Sequence, residues 1–225
     1  MKLKKIASLA LAGIMAVSML AGCKDGSGDD TPVVPETPTV SGIADAANGE
    51  RTDYMKNSMK LSFTESAALS DALKAAVSSE YKTADIKTSI AATNGGTDYG
   101  YAVYQGTGAG AKVATKVYES LTGTSANNVA FTGFNSVTAV GTKKSVVVYA
   151  VGGKYDADDA AALVSKSLGQ YNMNASGMPI TGTNLKADYT ANIAAVKATS
   201  AEDASLSIWV VAVEVTQTVT NATNA

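Results

Sequence analysis

Residues 208–215 read IWVVAVEV, a run apolar on both faces of a strand. Side chains of a strand point alternately to opposite faces, so such a run needs cover on both sides. It belongs at the centre of a sheet or beneath a covering layer, with Trp209 in the core. The chain can supply that cover. It has 225 residues, enough for one or two ordinary domains, and 46% of them are hydrophobic. Only 17% are charged, so the surface is expected to be mostly uncharged and polar.

Three stretches carry a helical period of three to four residues. Over 64–79, Leu69, Ala72, Leu73, Ala76 and Val77 fall on one face. Over 109–121 the same holds for Val113, Ala114, Val117, Tyr118 and Leu121, and over 157–168 for Ala160, Ala161, Val164 and Leu168. Thr64, the Gly-rich 106–110 and Asp156 or Asp158 mark their starts.

Each helix is followed by two strand-like stretches around a turn. In the first, Ile86, Thr88 and Ile90 alternate, Asn94-Gly95-Gly96 turns, and 99–104 returns. In the second, 129–140 runs out, 141–144 turns and 145–151 returns. In the third, 189–198 runs out, 199–205 turns and 206–219 returns. Leu185, Tyr189, Asn192 and Val196 also fit a helix, but the parallel between Ala84-Asp85-Ile86 and Ala187-Asp188-Tyr189 favours a strand there. Residues 101–121 also align without gaps on 148–168, matching Gly106 with Gly153 and Val117 with Val164. The expected fold is therefore α+β. Three tandem helix-strand-strand repeats would form a mainly antiparallel six-stranded sheet, with the helices on one face.

The amino terminus reads as an address. Three lysines within Met1 to Lys5 precede an apolar run from Ile6 to Leu20, the pattern of a secretory signal. That run is short of the roughly twenty residues that span a bilayer comfortably. It ends in Leu20-Ala21-Gly22-Cys23, which resembles the lipobox of bacterial lipoproteins. The resemblance implies cleavage before Cys23 and a diacylglycerol thioether on its sulfur, with fatty acids such as palmitate as the anchor. Two acyl chains hold a protein stably at a membrane where one does not. An ordinary secretory signal with a chance cysteine is the alternative. Residues 1–22 are then the signal and 23–42 a lipid-anchored Pro/Thr-rich linker with Pro32, Pro35 and Pro38. Residues 43–225 form a single α+β repeat domain.

Chemistry-bearing motifs are sparse. The chain has no His and one Cys, which removes the usual general base, the usual zinc ligand and any internal disulfide. Net charge is −2, unlike a basic nucleic-acid binder. No metal or cofactor is expected. Asp25, Ser27, Asp29 and Glu36 match calcium-loop offsets, but Asp30 stands where Gly is required and Pro32 interrupts. The Gly-rich 105–112 lacks the spacing of a phosphate or dinucleotide loop and reads as a strand-to-helix turn. Asp156, Asp158 and Asp159 suit a helix N-terminus. Tyr99 and Tyr101 on one strand face, with Tyr104 on the other, are candidate surface aromatics or ordinary cross-strand packing.

The third repeat carries an insertion, 170–184, reading QYNMNASGMPITGTN. Its Tyr171, Met173, Asn174 and Met178 make it a candidate binding loop, or a neutral insertion. The expected role is a non-catalytic binding or structural lipoprotein of the bacterial cell envelope, facing the extracytoplasmic side. Its partners would be the membrane through Cys23 and an envelope protein or polymer. The alternatives are an envelope hydrolase using carboxylates such as Asp98 or Asp188, and a small-ligand carrier.

Overall fold

A computed structural model describes residues 30–36, 42–94, 103–105, 108–124 and 131–222, with backbone only at 94 and 103–105. Its frame is three long strands: β4 (Gly141–Gly152), β5 (Leu185–Ser200) and β6 (Ser207–Asn221). β6 lies between the other two and is antiparallel to both, with Val213 opposite Val147 and Ile193. The doubly apolar 208–215 run therefore occupies the centre of the sheet, and Trp209 is buried with its indole N–H donated to the Tyr155 carbonyl at 2.8 Å.

Two short strands complete the main path. β1 (Val33–Glu36) pairs antiparallel with the end of β5, and β3 (Val103–Gln105) pairs antiparallel with β4. The order is β1-β5-β6-β4-β3, and the three-residue β2 (Phe63–Glu65) adds to β5 in parallel. The protein is thus α+β with a mainly antiparallel sheet.

Helices cover both faces of this sheet, not one. On the first face, α1 (Ile43–Gly49) and α5 (Ala157–Leu168) pack over Tyr149, Ile193, Val211 and Val213, together with Met55, Met59, Phe131 and Phe134. On the second, α2 (Ala67–Glu80), α3 (Thr83–Asn94) and α4 (Ala109–Thr122) pack over Val148, Ala194, Val210 and Ala212. The physical reason is the one that centred β6. Val146 to Val151 of β4 are all buried, so consecutive residues, hence both faces, need an apolar neighbour. Each fully buried Val or Ile contributes about 1.5–3 kcal/mol.

The helix starts follow local chemistry. Ser66 caps α2 by accepting from the Leu69 N–H, and Asp156 caps α5 by accepting from the Asp159 N–H at 2.8 Å. Such caps are each worth about 1 kcal/mol. The first turn of α1 is held from outside, where the Glu65 carboxylate of β2 accepts from the Gly42 N–H at 2.8 Å. Between β4 and α5, Gly153 approaches Ser207 so closely that a Cβ would sit 2.2 Å from its carbonyl oxygen.

Three expected elements are corrected. Ile86, Thr88 and Ile90 lie in helix α3, not in a strand. Ile86 and Ile90 are four apart, which satisfies a helical face as well as an alternating one, and the Asp85 carboxylate accepts the Lys82 N–H at 2.8 Å to open the helix. The 129–140 strand is replaced, in its described part, by a 3₁₀ turn, Phe131–Asn135, which points Phe131 and Phe134 inward at a spacing of three. The expected turn at 141–144 belongs to β4 itself. The helix-strand-strand order therefore does not recur three times. The aligned pair 101–121 and 148–168 does correspond in part: β3 leads into α4 as the end of β4 leads into α5.

Part of the expected linker is folded in. Val33 is 5% exposed in the second core, and Pro35 sits in the edge strand β1, where a missing N–H is tolerated.

Candidate functional site

Among the described residues, the long strands outrun the helices of the second face. In β4, β5 and β6 the second core reaches Val146, Ala194 and Ala212, and beyond these the same face carries polar side chains. Thr142, Thr218 and Asp188 form one row across the three strands, and Lys144, Thr216 and Thr190 form the next. Thr220 and Lys186 form a third. Thr142, Thr190, Thr218, Thr220 and Asp188 are exposed. Adjacent rows on one face lie about 6.6–6.8 Å apart and neighbouring strands about 4.7–4.9 Å, so hydroxyls and methyls form a regular array. The opposite face of the same strands is closed. It carries Ala187, Tyr189, Val215 and Val219 against Phe131 and Phe134.

A polar relay marks the border between covered and open halves. Glu214 is 4% exposed in the central strand. One of its carboxylate oxygens accepts the Lys144 ammonium at 2.6 Å and the other accepts Asn192 Nδ2 at 2.8 Å. Asn192 Oδ1 in turn accepts the Thr64 hydroxyl at 2.7 Å. Strands β4, β6, β5 and β2 are thereby linked in one line. A carboxylate at this depth is tolerated because both oxygens are paired and its ammonium partner keeps 38% of its side chain in solvent. This relay was missed in the sequence. Its signal was a lone acidic residue inside 208–215, which must find partners wherever the strand is central.

The candidate binding loop is mostly structural cover. Met173 is buried in the first core, and its carbonyl accepts the Tyr54 hydroxyl. Tyr171 packs edge-on to Phe131 with ring centroids 5.7 Å apart. The N–H of Gly177 donates to the Ala187 carbonyl and that of Ile180 to the Leu185 carbonyl, so the loop hems the outer edge of β5. Met178 remains 60% exposed. The loop therefore brings together no open group of Tyr171, Met173, Asn174 and Met178. Tyr99, Tyr101, Asp98, Cys23, Asp25, Ser27 and Asp29 lie outside the described residues, and of Tyr104 only the backbone, paired with Ala150, is described.

Beneath that loop sits a buried polar cluster. Gln217, fully buried, donates through Nε2 to the Phe134 carbonyl at 2.7 Å and to the Tyr189 hydroxyl at 3.1 Å. Burial pushes the Tyr189 phenol above its ordinary value of 10.0, against the opposing hydrogen bonds from Gln217 and the Asn174 backbone. At the β5–β6 turn, hydrogen bonds from the Ser205 hydroxyl and N–H hold the exposed Asp203 carboxyl below its usual 3.8.

Of the carboxylates named above as candidates, Asp188 lies among the described residues. Asp188 is exposed and accepts the Ser176 hydroxyl at 2.6 Å. Its row is four residues from that of Glu214, about 13 Å along the strand, beyond the separation of glycosidase carboxylate pairs at about 5–9.5 Å. Among the described residues no three acidic or Cys side chains group as metal ligands, and no helix is long and apolar enough to cross a membrane. A hollow between α2 and α4, lined by Glu80, Lys112, Thr115 and Lys116, is shallow and open. No family model matches the chain, and no curated protein or solved structure is significantly similar to it.

Proposed function

We propose that this protein is a bacterial lipoprotein held by acyl chains on Cys23. Its body would act without catalysis on the extracytoplasmic side of the membrane, presenting the open threonine face to an envelope protein or polymer. The anchor rests on the order of lysines, apolar run and Leu20-Ala21-Gly22-Cys23. The single observation that carries the binding role is the uncovered half of β4, β5 and β6, where five exposed polar side chains stand on rigid strands. Binding groups on strands are held more firmly than groups on loops, which suits recognition of a partner by shape. The strand-to-helix step at 101–121 and 148–168 is read as the surviving trace of a duplication within the body.

Cys23→Ser tests the anchor in cells. The mutant is expected in the soluble fraction of disrupted cells while the parent chain sediments with membranes. Retention of the mutant in the membrane pellet would show an uncleaved apolar segment holding the chain instead.

A further inference from the structure

Where the anchored end enters the fold carries a consequence for how the body stands on the bilayer. Strand β1 begins at the β5–β6 turn: Val33 is opposite Ser200, and its side chain is buried in the second core. Just before it, the Thr31 carbonyl accepts the Thr83 N–H at 3.1 Å and the Thr83 hydroxyl at 3.3 Å, and the Thr31 hydroxyl donates to Glu202 in that turn. The chain is therefore fastened to the body from Thr31 onward. Only six residues lie between Cys23 and Asp30. At about 3.3–3.6 Å per residue, the span from Cys23 to Asp30 is at most about 25 Å. The open threonine face lies at the other end of the same strands. β6 is 15 residues long, so its Thr218 and Thr220 stand about 40 Å beyond the turn.

We infer that the lipid surface is met by the β5–β6 turn end of the body, with β1 as the clasp that sets this orientation and the threonine face turned away from the bilayer. This rests on the Cys23 anchor proposed above. A tether shorter than the body leaves the fastened end nearest the lipid. If β1 were free, eighteen residues would separate Cys23 from Gly42 and the reach would be about 65 Å, enough for the body to tumble.

The test uses the full lipidated chain in vesicles of phosphatidylcholine and phosphatidylglycerol that carry an acceptor dye on a headgroup. Ala204→Cys in the turn and Thr220→Cys on the open face, both exposed positions, are labelled separately with a donor. An acylated Cys23 has no thiol to compete. Energy transfer from position 204 is expected to exceed that from position 220 by about twofold or more, given the length of β6 between them. Inserting about twenty Gly/Ser residues before Asp30, which alters none of the described packed residues, should bring the ratio close to one. Equal transfer in the parent chain would overturn the orientation alone, and a ratio unmoved by the insertion would overturn the short tether as what sets it. A parent chain that fails to float with the vesicles removes the anchor, and the orientation with it.

Discussion

The two halves of strand β6 make an instructive pair. From Ile208 to Val213 every side chain is buried, because α1 and α5 cover one face and α2, α3 and α4 the other. From Thr216 to Thr220 only one face is covered, and residues alternate: Gln217 and Val219 are buried while Thr218 and Thr220 are exposed. The backbone ladder is continuous through both halves. What differs is the layer above. The covered half holds the fold together, whereas the open half is ladder-bonded but free to meet something else. Glu214 sits at the junction, where a charge can still reach an ammonium that touches water.

The largest contrast should come from aspartate scanning of this strand. Val211→Asp buries an unpaired carboxylate and should cost about 4 kcal/mol or more, while Thr220→Asp, exposed and opposite Lys186, should stay within about 0.5 kcal/mol. Urea denaturation of both variants measures the difference, and similar midpoints would mean that the halves are not differently covered. At the border, Lys144→Met leaves the Glu214 carboxylate with Asn192 alone. A loss of about 2–3 kcal/mol is expected, with Glu214→Gln losing less because it leaves no buried charge, although its amide can accept only one of the two hydrogen bonds. A double-mutant cycle on the pair checks this.

Within the covered end, Gly153→Ala forces the turn away from Ser207 and should lower the unfolding free energy by about 1–3 kcal/mol, read by urea denaturation. The smallest effect concerns pH. Because burial raises the Tyr189 phenol, its contribution is fully present below pH 10 and is lost as pH rises through the higher folded value. Stability should therefore fall above pH 10, and Tyr189→Phe should flatten that fall. An unchanged slope in thermal melts between pH 9 and 11 would contradict the assignment.

Much of this contrast was legible in the residues. The central place of β6 follows from apolar neighbours on both faces, and helices α2, α4 and α5 follow from their apolar period; Asp156 caps α5 as expected, whereas α2 is capped by Ser66 and the expected start, Thr64, lies in β2. Cover on both faces was also encoded, in the unbroken SVVVYAV of β4, but the repeat pattern drew the helices to one side. Ile86 and Ile90 could not decide between helix and strand because a spacing of four serves both. There the same local pattern, Ala-Asp followed by apolar residues, becomes helix at 84 and strand at 187, since the neighbours differ. The insertion 170–184 looked like a free loop because its Met and Tyr suit contact surfaces. Most of those contacts are made inward, to Phe131 and the edge of β5.

The functional account depends above all on the chemistry of Cys23. Mass spectrometry of the amino-terminal peptide, purified from the membrane fraction, reads it directly. The account predicts a peptide that begins at Cys23 and carries the mass of a diacylglycerol thioether. A peptide that begins at Met1 with a free thiol would contradict it.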